Sequence, residues 1–316
     1  MGGEGLAEKI IAGDEKSAAR LITLIEDGSE EGYRELSRLF PDTGKAHVIG
    51  ITGPPGAGKS TVTGGLAVAF AGEGKKVGVV AVDPTSMAGR GALLADRLRM
   101  KGAEKLGIFI RSMAHRGYPG GLARATAGAV YVLEALGKET VLVESMGAGQ
   151  SEKALSCLCD TVVILFTPEY GDEVQLLKAG LMEIGDIVVV NKTDLPGAES
   201  AKSIIASMLT PGPDGWTPPI LGSRADRGEG ITELAVEIDR HWRFLAEGER
   251  REKRRRERTA AFTMDLLKEK MWEAAAEAVR NDKGCMEIAR EAIDRKRDPY
   301  DAVERIIGKT VLKIKA

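Results

Sequence analysis

Eight consecutive residues fit the pattern G-x-x-x-x-G-K-[ST]: Gly53, Pro54, Pro55, Gly56, Ala57, Gly58, Lys59 and Ser60. Glycines at this spacing let backbone N–H groups wrap a phosphate chain, and the helix that follows adds a favourable field at its N-terminus. Lys59 is spaced to reach the β- and γ-phosphates, and the Ser60 hydroxyl to bind Mg²⁺. The helix is predicted to begin at Thr61. The segment therefore predicts a site for a nucleoside triphosphate.

A second pattern, N-K-x-D, indicates which base is bound. It comprises Asn191, Lys192, Thr193 and Asp194, directly after an apolar run at 187–190. The Asp194 carboxylate can accept hydrogen bonds from guanine N1–H and the exocyclic amine, a pair of donors that adenine lacks. A site built on such a bond can reject the wrong ligand by roughly 10⁴-fold. The Lys192 stem can lie over the base and Asn191 can tie this loop to the phosphate loop, so we expect GTP rather than ATP.

Acidic residues after two other predicted strands are candidates for a magnesium site. Asp83 ends the run 76–82, where it could hold Mg²⁺ or its water, or could open a turn before a proline. Glu144 begins a segment resembling the D-x-x-G element, in which the acid reaches Mg²⁺ through water; a plain turn is the alternative. Gln150 lies in the glycine-rich segment that follows, which could switch on hydrolysis. The spacing of Asp96 alone fits a helix-surface acid equally well.

Several other polar clusters have more than one interpretation. Arg111, Arg116 and Arg124 could neutralise phosphate charge or pair with surface acids. The basic run 250–258 could contact a nucleic-acid backbone, but its interspersed glutamates favour a solvated or inter-subunit helix face. A C-x-C at Cys157 could bind metal, although two apolar helix cysteines are the better interpretation.

The elements that must position these residues alternate between strand and helix from 46 to 246. Apolar runs predict strands at 46–52, 76–82, 108–111, 140–144, 161–166, 187–190 and 219–221, with helices between them such as 122–136 and 172–182. This rhythm predicts an α/β fold with a doubly wound, mainly parallel sheet, whose ligands lie at the carboxyl ends of the strands. We expect an N-terminal helical extension at 1–45, a nucleotide-binding domain at 46–246 and a C-terminal helical segment at 247–316.

Composition excludes several classes of protein. The chain has 316 residues, 43% of them hydrophobic and 29% charged, with a net charge of −2. No apolar run approaches the roughly 20 residues of a membrane span, and no global field favours nucleic acid. The N-terminal residues lack the features of a signal peptide, and three cysteines suggest a reducing compartment. We therefore expect a cytoplasmic protein.

These residues closely resemble one family, the methylmalonyl-CoA mutase-associated GTPases, the MeaB/ArgK group of G3E-type GTPases. The resemblance covers essentially the whole chain, and its central motifs are more specific than the phosphate loop. It is carried by residues 82–86, 94–100, 110–117, 120–126, 143–152, 191–194 and 297–302.

The resemblance implies roles for particular residues. Ser60, Asp83, Asp96 and Glu144 would surround Mg²⁺, and Gln150 would belong to the second switch, so that the catalytic set is Lys59, Asp83, Glu144 and Gln150. The guanine-capping loop would run from Arg224 to Gly230 with Ser223 before it, and its nucleotide-binding residues would be Ser223, Arg224, Ala225 and Asp226. This loop departs from the usual Ser-Ala-x-x-Gly-x-Gly, because Arg224 stands at the serine position; the Ala225 N–H could still meet guanine O6.

The resemblance also implies partners. Members of the family are homodimers held largely by C-terminal helices, and they act as G-protein chaperones of an adenosylcobalamin-dependent acyl-CoA mutase, gating cofactor loading. The cobalamin sits in the mutase. Three rival functions stay open at this point: a nickel-insertion metallochaperone GTPase, a kinase acting on a transport binding protein, and a nucleic-acid-binding module built on the basic helix.

Overall fold

The described residues form a seven-stranded sheet, all of it within the first 223 residues. The computed structural model describes residues 5–83, 106–114, 121–145, 155–168, 182–212 and 214–314. Every neighbouring pair of strands is parallel, in the order β3-β2-β4-β1-β5-β6-β7. The strands are β1 His47–Thr52, β2 Val77–Asp83, β3 Phe109–Ala114, β4 Thr140–Glu144, β5 Thr161–Phe166, β6 Ile187–Asn191 and β7 Ile220–Ser223. The predicted doubly wound parallel sheet is confirmed.

Helices lie on both faces of the sheet. The helices of the described residues, in both compact units, are α1 Leu6–Ile11, α2 Glu15–Glu26, α3 Glu30–Leu39, α4 Lys59–Gly72, α5 Gly121–Ala135, α6 Ala198–Met208, α7 Ile231–Ala246, α8 Arg250–Arg280, α9 Lys283–Ile293 and α10 Pro299–Ile314. A single helical turn covers Met182–Ile184, and the rest of the helix predicted at 172–182 lies outside the described residues. Within the described part of the chain, no helix is both long enough and apolar enough to cross a membrane.

Alternate side chains of the buried strands supply two hydrophobic cores. In β1, Ile49 and Ile51 face α4 and α7, whereas Val48 faces the side covered by α2 and α5. All residues of β1, β4, β5 and β6 are buried, which is why these strands have near-continuous apolar sequences. Because the strands are parallel, the carboxyl ends of the central strands all lie at the same end of the sheet, and the two cores hold them in place.

The edge strand β3 extends beyond its predicted end. The apolar pattern predicted residues 108–111, but the backbone pairing with β2 continues to Ala114. Arg111 and Ser112 interrupt the apolar run, and an edge position tolerates such polar side chains because one side of the strand has no neighbouring strand. Arg111 contacts Glu26 and Thr23 of α2, so its charge is paired with an acid of the N-terminal helices.

The N-terminal helices pack against α5 on one face of the sheet. Asp14 caps α2 by accepting hydrogen bonds from the backbone N–H groups of Lys16 and Ser17. The approach to α5 is close, because a Cβ added at Gly128 would lie 2.8 Å from Ile25 Cγ2. The helical character predicted for this region is therefore confirmed, and these helices share one compact unit with the sheet.

The basic run 250–258 lies at the first turns of α8, and part of it contacts the amino-terminal edge of the sheet. Arg254 donates from NH2 to both carboxylate oxygens of Asp186 at 2.8 Å, and Arg255 lies 3.4 Å from Asp160. Arg256, by contrast, is 79% exposed and pairs with Glu252 on the same helix. The predicted solvated face is thus only half of this segment. Its other half neutralises acids that precede β5 and β6.

The chain divides into two compact units, Met1–Thr259 and Ala260–Ala316, and the boundary falls within α8. The second unit contains the remainder of α8 with α9 and α10. Asp282 caps α9 by accepting from the N–H groups of Gly284 and Cys285, and Arg297 pairs with Glu291 and Asp301. The three segments at 1–45, 46–246 and 247–316 stay a prediction.

Candidate nucleotide site

The patterned residues follow the carboxyl ends of parallel strands in the same sheet. The phosphate loop, defined as residues 53–60, joins β1 to α4, and the N-K-x-D residues begin at the last position of β6. Ser223 ends β7 and lies opposite Asn191 in the strand register. The parallel order of the strands, with only β5 between β1 and β6, therefore brings together two segments that are more than 100 residues apart, at the carboxyl ends where a doubly wound sheet binds its ligands.

The glycines of the phosphate loop adopt conformations that other residues rarely reach. Gly53, Gly56 and Gly58 have φ of 144°, 79° and 90°. A Cβ at Gly53 would lie 2.3 Å from the carbonyl oxygen of Leu165, so the loop also passes too close to β5 for a side chain. The loop is therefore shaped by backbone geometry, as a phosphate-wrapping turn requires.

Lys59 begins α4 and turns back over the loop. Its Nζ donates to the carbonyl oxygens of Gly53 at 2.8 Å and Pro54 at 3.0 Å, and its side chain is buried. The ammonium group therefore lies against the carbonyl oxygens at the start of the loop, and its predicted reach to the phosphates stays a prediction. Pro55, Gly56 and Thr61 are at the exposed side of the same turn.

Asn191 connects the two loops of the site. Its Nδ2 donates to the Ala57 carbonyl at 2.9 Å, and its Oδ1 accepts from Ser223 Oγ at 2.9 Å and from the Ala225 backbone N–H at 3.2 Å. The side chain is buried and uses both ends of its amide. The tie to the phosphate loop has the geometry expected from the sequence, whereas the bond from Ala225 N–H was not anticipated.

Lys192 and Asp194 lie in the turn that directly follows Asn191. Lys192 has φ of 60°, a left-handed conformation uncommon for a residue with a side chain. Thr193 N–H donates to the Ser223 carbonyl at 3.1 Å, which fixes the turn against β7. Strained backbone of this kind concentrates at ligand sites, where the surrounding contacts hold it in place. The side chain of Asp194 is 47% exposed, so its carboxylate is accessible.

The capping loop, residues 223–230, closes this end of the site. Gly228 and Gly230 have φ of 77° and 82°, and a Cβ at Gly230 would lie 2.4 Å from the Gly222 carbonyl oxygen. Arg224 and Glu229 exchange backbone hydrogen bonds of 3.0 and 3.2 Å across the loop. Asp226 is exposed at the tip.

Two of the four predicted magnesium ligands lie in contact. Ser60 Oγ donates to Glu144 Oε1 at 2.7 Å, and Glu144 is buried at the end of β4. The backbone of Asp83 ends β2, the strand next to β4, but its side chain is not among the described ones; Asp96 and Gln150 lie outside the described residues. Within the described residues, no three His, Cys, Asp or Glu side chains cluster to hold a metal.

Three residues near the predicted set, Thr52, Ser145 and Glu229, were missed. Ser145 donates to Thr52 Oγ1 at 2.8 Å, which joins the ends of β4 and β1 beneath the phosphate loop. Glu229 lies beside Arg224, with 3.7 Å between their charged atoms. Glu229 stands at an unspecified position of the Ser-Ala-x-x-Gly-x-Gly pattern, so pattern matching gave no signal for it. Thr52 directly precedes the loop and could have been found from its polar side chain at the end of an apolar strand.

Comparisons with known proteins agree with this architecture. A solved structure named LAO/AO transport system kinase superposes with a TM-score of 0.71 at 24% identity, covering 95% of both chains, a likeness that shows the fold alone. A protein of Pyrococcus abyssi whose name assigns it provisionally as a GTPase is 40% identical over 312 residues, 97% of this chain and 96% of the relative.

A Caenorhabditis elegans protein named as a mitochondrial homolog of methylmalonic aciduria type A is 32% identical over 260 residues, 80% of this chain and 62% of its own length. The sequence model of one family, described as Methylmalonyl Co-A mutase-associated GTPase MeaB, matches residues 18–280. With the phosphate loop, the Asn191 tie and the parallel sheet in place, the chain belongs to the methylmalonyl-CoA mutase-associated GTPase family, MeaB.

Proposed function

We propose that this protein binds and hydrolyses GTP as a chaperone of an adenosylcobalamin-dependent acyl-CoA mutase of the methylmalonyl-CoA mutase type, gating the loading of the mutase cofactor and protecting or reactivating the enzyme. Membership of the MeaB family supports the link to such a mutase. The observation that carries the nucleotide-binding part is the Asn191 tie, because one amide joins the phosphate loop to the loop that follows β7.

The geometry supports a division of work within the site. Backbone N–H groups of residues 53–60 and the N-terminus of α4 would hold the phosphates, and Lys59 would bring a positive charge to them. Asp194 would accept from guanine N1–H and the exocyclic amine, with the Lys192 stem along the base. Asn191 would keep these two halves at a constant separation. Such a site contributes positioning and charge stabilisation, which is most of what phosphoryl transfer to water requires.

The donor set at Ser60 and Glu144 fits Mg²⁺. A hydroxyl and a carboxylate oxygen that already converge to 2.7 Å are hard oxygen ligands of the kind this cation prefers. We propose that Ser60, Asp83, Asp96 and Glu144 hold the ion directly or through water, and that Gln150 orients the attacking water. When bound, the ion would neutralise charge on the phosphates. Since the protein supplies mainly positioning, we expect slow intrinsic hydrolysis that a partner accelerates.

The test is GTP hydrolysis by the purified protein with and without candidate acyl-CoA mutases. We expect one mutase to raise the rate, and Lys59→Ala to abolish both basal and stimulated turnover. Lys16→Ala is the matched control, because Lys16 is exposed on α2 in the first unit. If the protein binds and hydrolyses GTP but no mutase raises the rate, the GTPase activity stands and the chaperone role is contradicted. Absence of GTP binding would contradict both.

We further propose that the second unit forms a homodimer. Exposed apolar side chains recur at helical spacing along α8, including Met264, Leu267 and Met271, and Trp272 is 74% exposed. A stripe of this kind is typical of a helix that packs against a partner. Trp272→Glu should shift the sedimentation coefficient from dimer to monomer. Val236→Glu is the control, because Val236 is an exposed apolar residue of the first unit. A wild-type monomer would contradict the proposal.

We place the protein in the cytoplasm. All three cysteines, Cys157, Cys159 and Cys285, are free, as is typical of proteins in a reducing compartment. Cell fractionation with an antibody to the native protein tests this placement. Recovery in a membrane or secreted fraction would contradict it.

A further inference from the structure

Arg224 lies between two carboxylates at the base end of the site. Its Nε is 3.5 Å from Asp194 Oδ1, and its NH1 is 3.7 Å from Glu229 Oε2. The Arg224 side chain is 23% exposed, and its Nε is a buried atom with no hydrogen bond, so the ion pair with Asp194 is the contact that compensates this N–H. The neighbouring backbone is held by the bridge between Arg224 and Glu229.

Arg224 therefore contacts Asp194, whose carboxylate would recognise the base. A guanidinium group has only donors, and the guanine edge that Asp194 would bind, N1–H and the exocyclic amine, also has only donors. The two groups cannot bond to each other, and each approaches the same acceptor. The carboxylate has about four lone-pair sites, so Arg224 and guanine share an acceptor rather than exclude each other, and each donor weakens the bond that the other makes to Asp194.

We propose that Arg224 is a specificity-determining residue that competes with guanine for Asp194 and thereby weakens both guanine-nucleotide affinity and discrimination against adenine. The proposal rests on the proposed recognition of guanine by Asp194. Adenine has no N1–H and no amine at C2, so its binding would leave the carboxylate unpaired in the absence of Arg224. With Arg224 present, the carboxylate keeps a partner and adenine is rejected less strongly.

Glu229 acts on the same arginine in the opposite direction. Its carboxylate attracts NH1 away from Asp194, so it reduces the competition. Removing the charge at 229 should leave Arg224 more firmly on Asp194 and weaken guanine binding. Glu229→Gln preserves the backbone bridge, because that bridge uses only main-chain atoms. A merely structural role for Arg224 would not produce effects of opposite sign at these two positions.

The experiment measures dissociation constants for GDP and ADP by competition with a fluorescent guanine nucleotide. We expect Arg224→Met, which keeps an apolar stem without the charge, to bind GDP about threefold more tightly and to widen the ratio of ADP to GDP constants about tenfold, a scale set by the weakness of partly exposed ion pairs. Glu229→Gln should bind GDP about twofold more weakly. In an Asp194→Asn background, Arg224→Met should leave the GDP constant unchanged.

The outcomes separate this proposal from the proposed function. If the wild type binds GDP no better than ADP, guanine recognition by Asp194 is wrong and the competition falls with it. If the wild type prefers GDP but Arg224→Met binds it equally or more weakly, Arg224 does not compete and only this inference is overturned. If Arg224→Met does not fold, Glu229→Gln decides, because tighter or unchanged GDP binding in that variant contradicts the proposal.

Discussion

Asn191 Nδ2 and the Ala57 carbonyl oxygen are 2.9 Å apart, although 134 positions separate the two residues in the chain. Because Asn191 Oδ1 also accepts from Ser223 and from Ala225, one buried side chain joins the loops after β1, β6 and β7. A single amide therefore holds the phosphate loop against the capping loop, and changes at this position should act on the whole of the proposed nucleotide site.

Asn191→Ala should weaken the binding of GDP and GTP together, by about tenfold each. The variant leaves the Ala57 carbonyl and the Ser223 hydroxyl without their shared partner, and a buried polar group that loses its hydrogen bond costs about 1–3 kcal/mol. Competition binding measures the two constants. Asn281→Ala is the control, since Asn281 is exposed in the second unit. Equal affinities for variant and wild type would contradict the role of the tie.

Gly58→Ala should abolish nucleotide binding or strongly destabilise the first unit. Gly58 has φ of 90°, and its added Cβ would lie 2.3 Å from Asn191 Nδ2, so the substitution strains the backbone and breaks the tie at once. Gly72→Ala near the end of α4 meets nothing within 4 Å and should stabilise the protein by about 0.5–1 kcal/mol. Urea unfolding with and without GDP compares the two. Normal GDP binding by Gly58→Ala would refute the geometry.

Arg254→Met should lower the free energy of unfolding by about 2 kcal/mol. Asp186 is buried and accepts two hydrogen bonds of 2.8 Å from Arg254, so removal of the arginine leaves a buried carboxylate without its counter-ion. Arg256→Met is the matched control from the same helix, because Arg256 is 79% exposed and should change stability by less than about 0.5 kcal/mol. Similar losses in both variants would show that the Asp186 contact is unimportant.

Two buried histidines should make stability depend on pH. The hydroxyl of Thr161 lies 2.7 Å from His47 Nε2 and 2.8 Å from His241 Nδ1. Burial lowers the pKa of His47 to about 3, although the nearby charge of Asp160 raises it. Burial lowers the pKa of His241 to about 4, although Asp186 raises it, and the positive charge of Arg254 also lowers the pKa of His241. Both rings are therefore neutral in the folded protein at pH 7.

The unfolded chain would protonate these rings near pH 6.5, above their folded pKa values, so the unfolded state binds more protons between about pH 6.5 and 4. The free energy of unfolding should be level above pH 7 and fall as the pH is lowered through this window, by up to about 1.4 kcal/mol per pH unit for each histidine. Urea unfolding at pH 7, 6 and 5 measures the slope. His241→Gln should make it shallower; an unchanged slope would exclude this histidine as its source.

Much of the fold was predictable because the buried strands show their pattern locally. The predictions for β4 at 140–144 and β5 at 161–166 match the observed ends, since both strands are covered on two faces and contain an unbroken apolar run. The edge strand β3 was predicted too short. Its last residues pair with β2 through backbone hydrogen bonds, and a hydropathy pattern does not detect these because Arg111 and Ser112 are polar.

The sequence by itself determined the parallel sheet, the phosphate loop and the N-K-x-D residues after β6, because each of these depends on residue type and short-range spacing; the joint action of Lys59, Asn191 and Asp194 on one nucleotide stays a prediction. Only the tertiary structure decided which side chains meet across strands. The contacts of Arg224 with Asp194, Arg254 with Asp186 and Ser60 with Glu144 join residues that are 30 to 84 positions apart. Their distances follow from strand order and loop path, which no local pattern encodes.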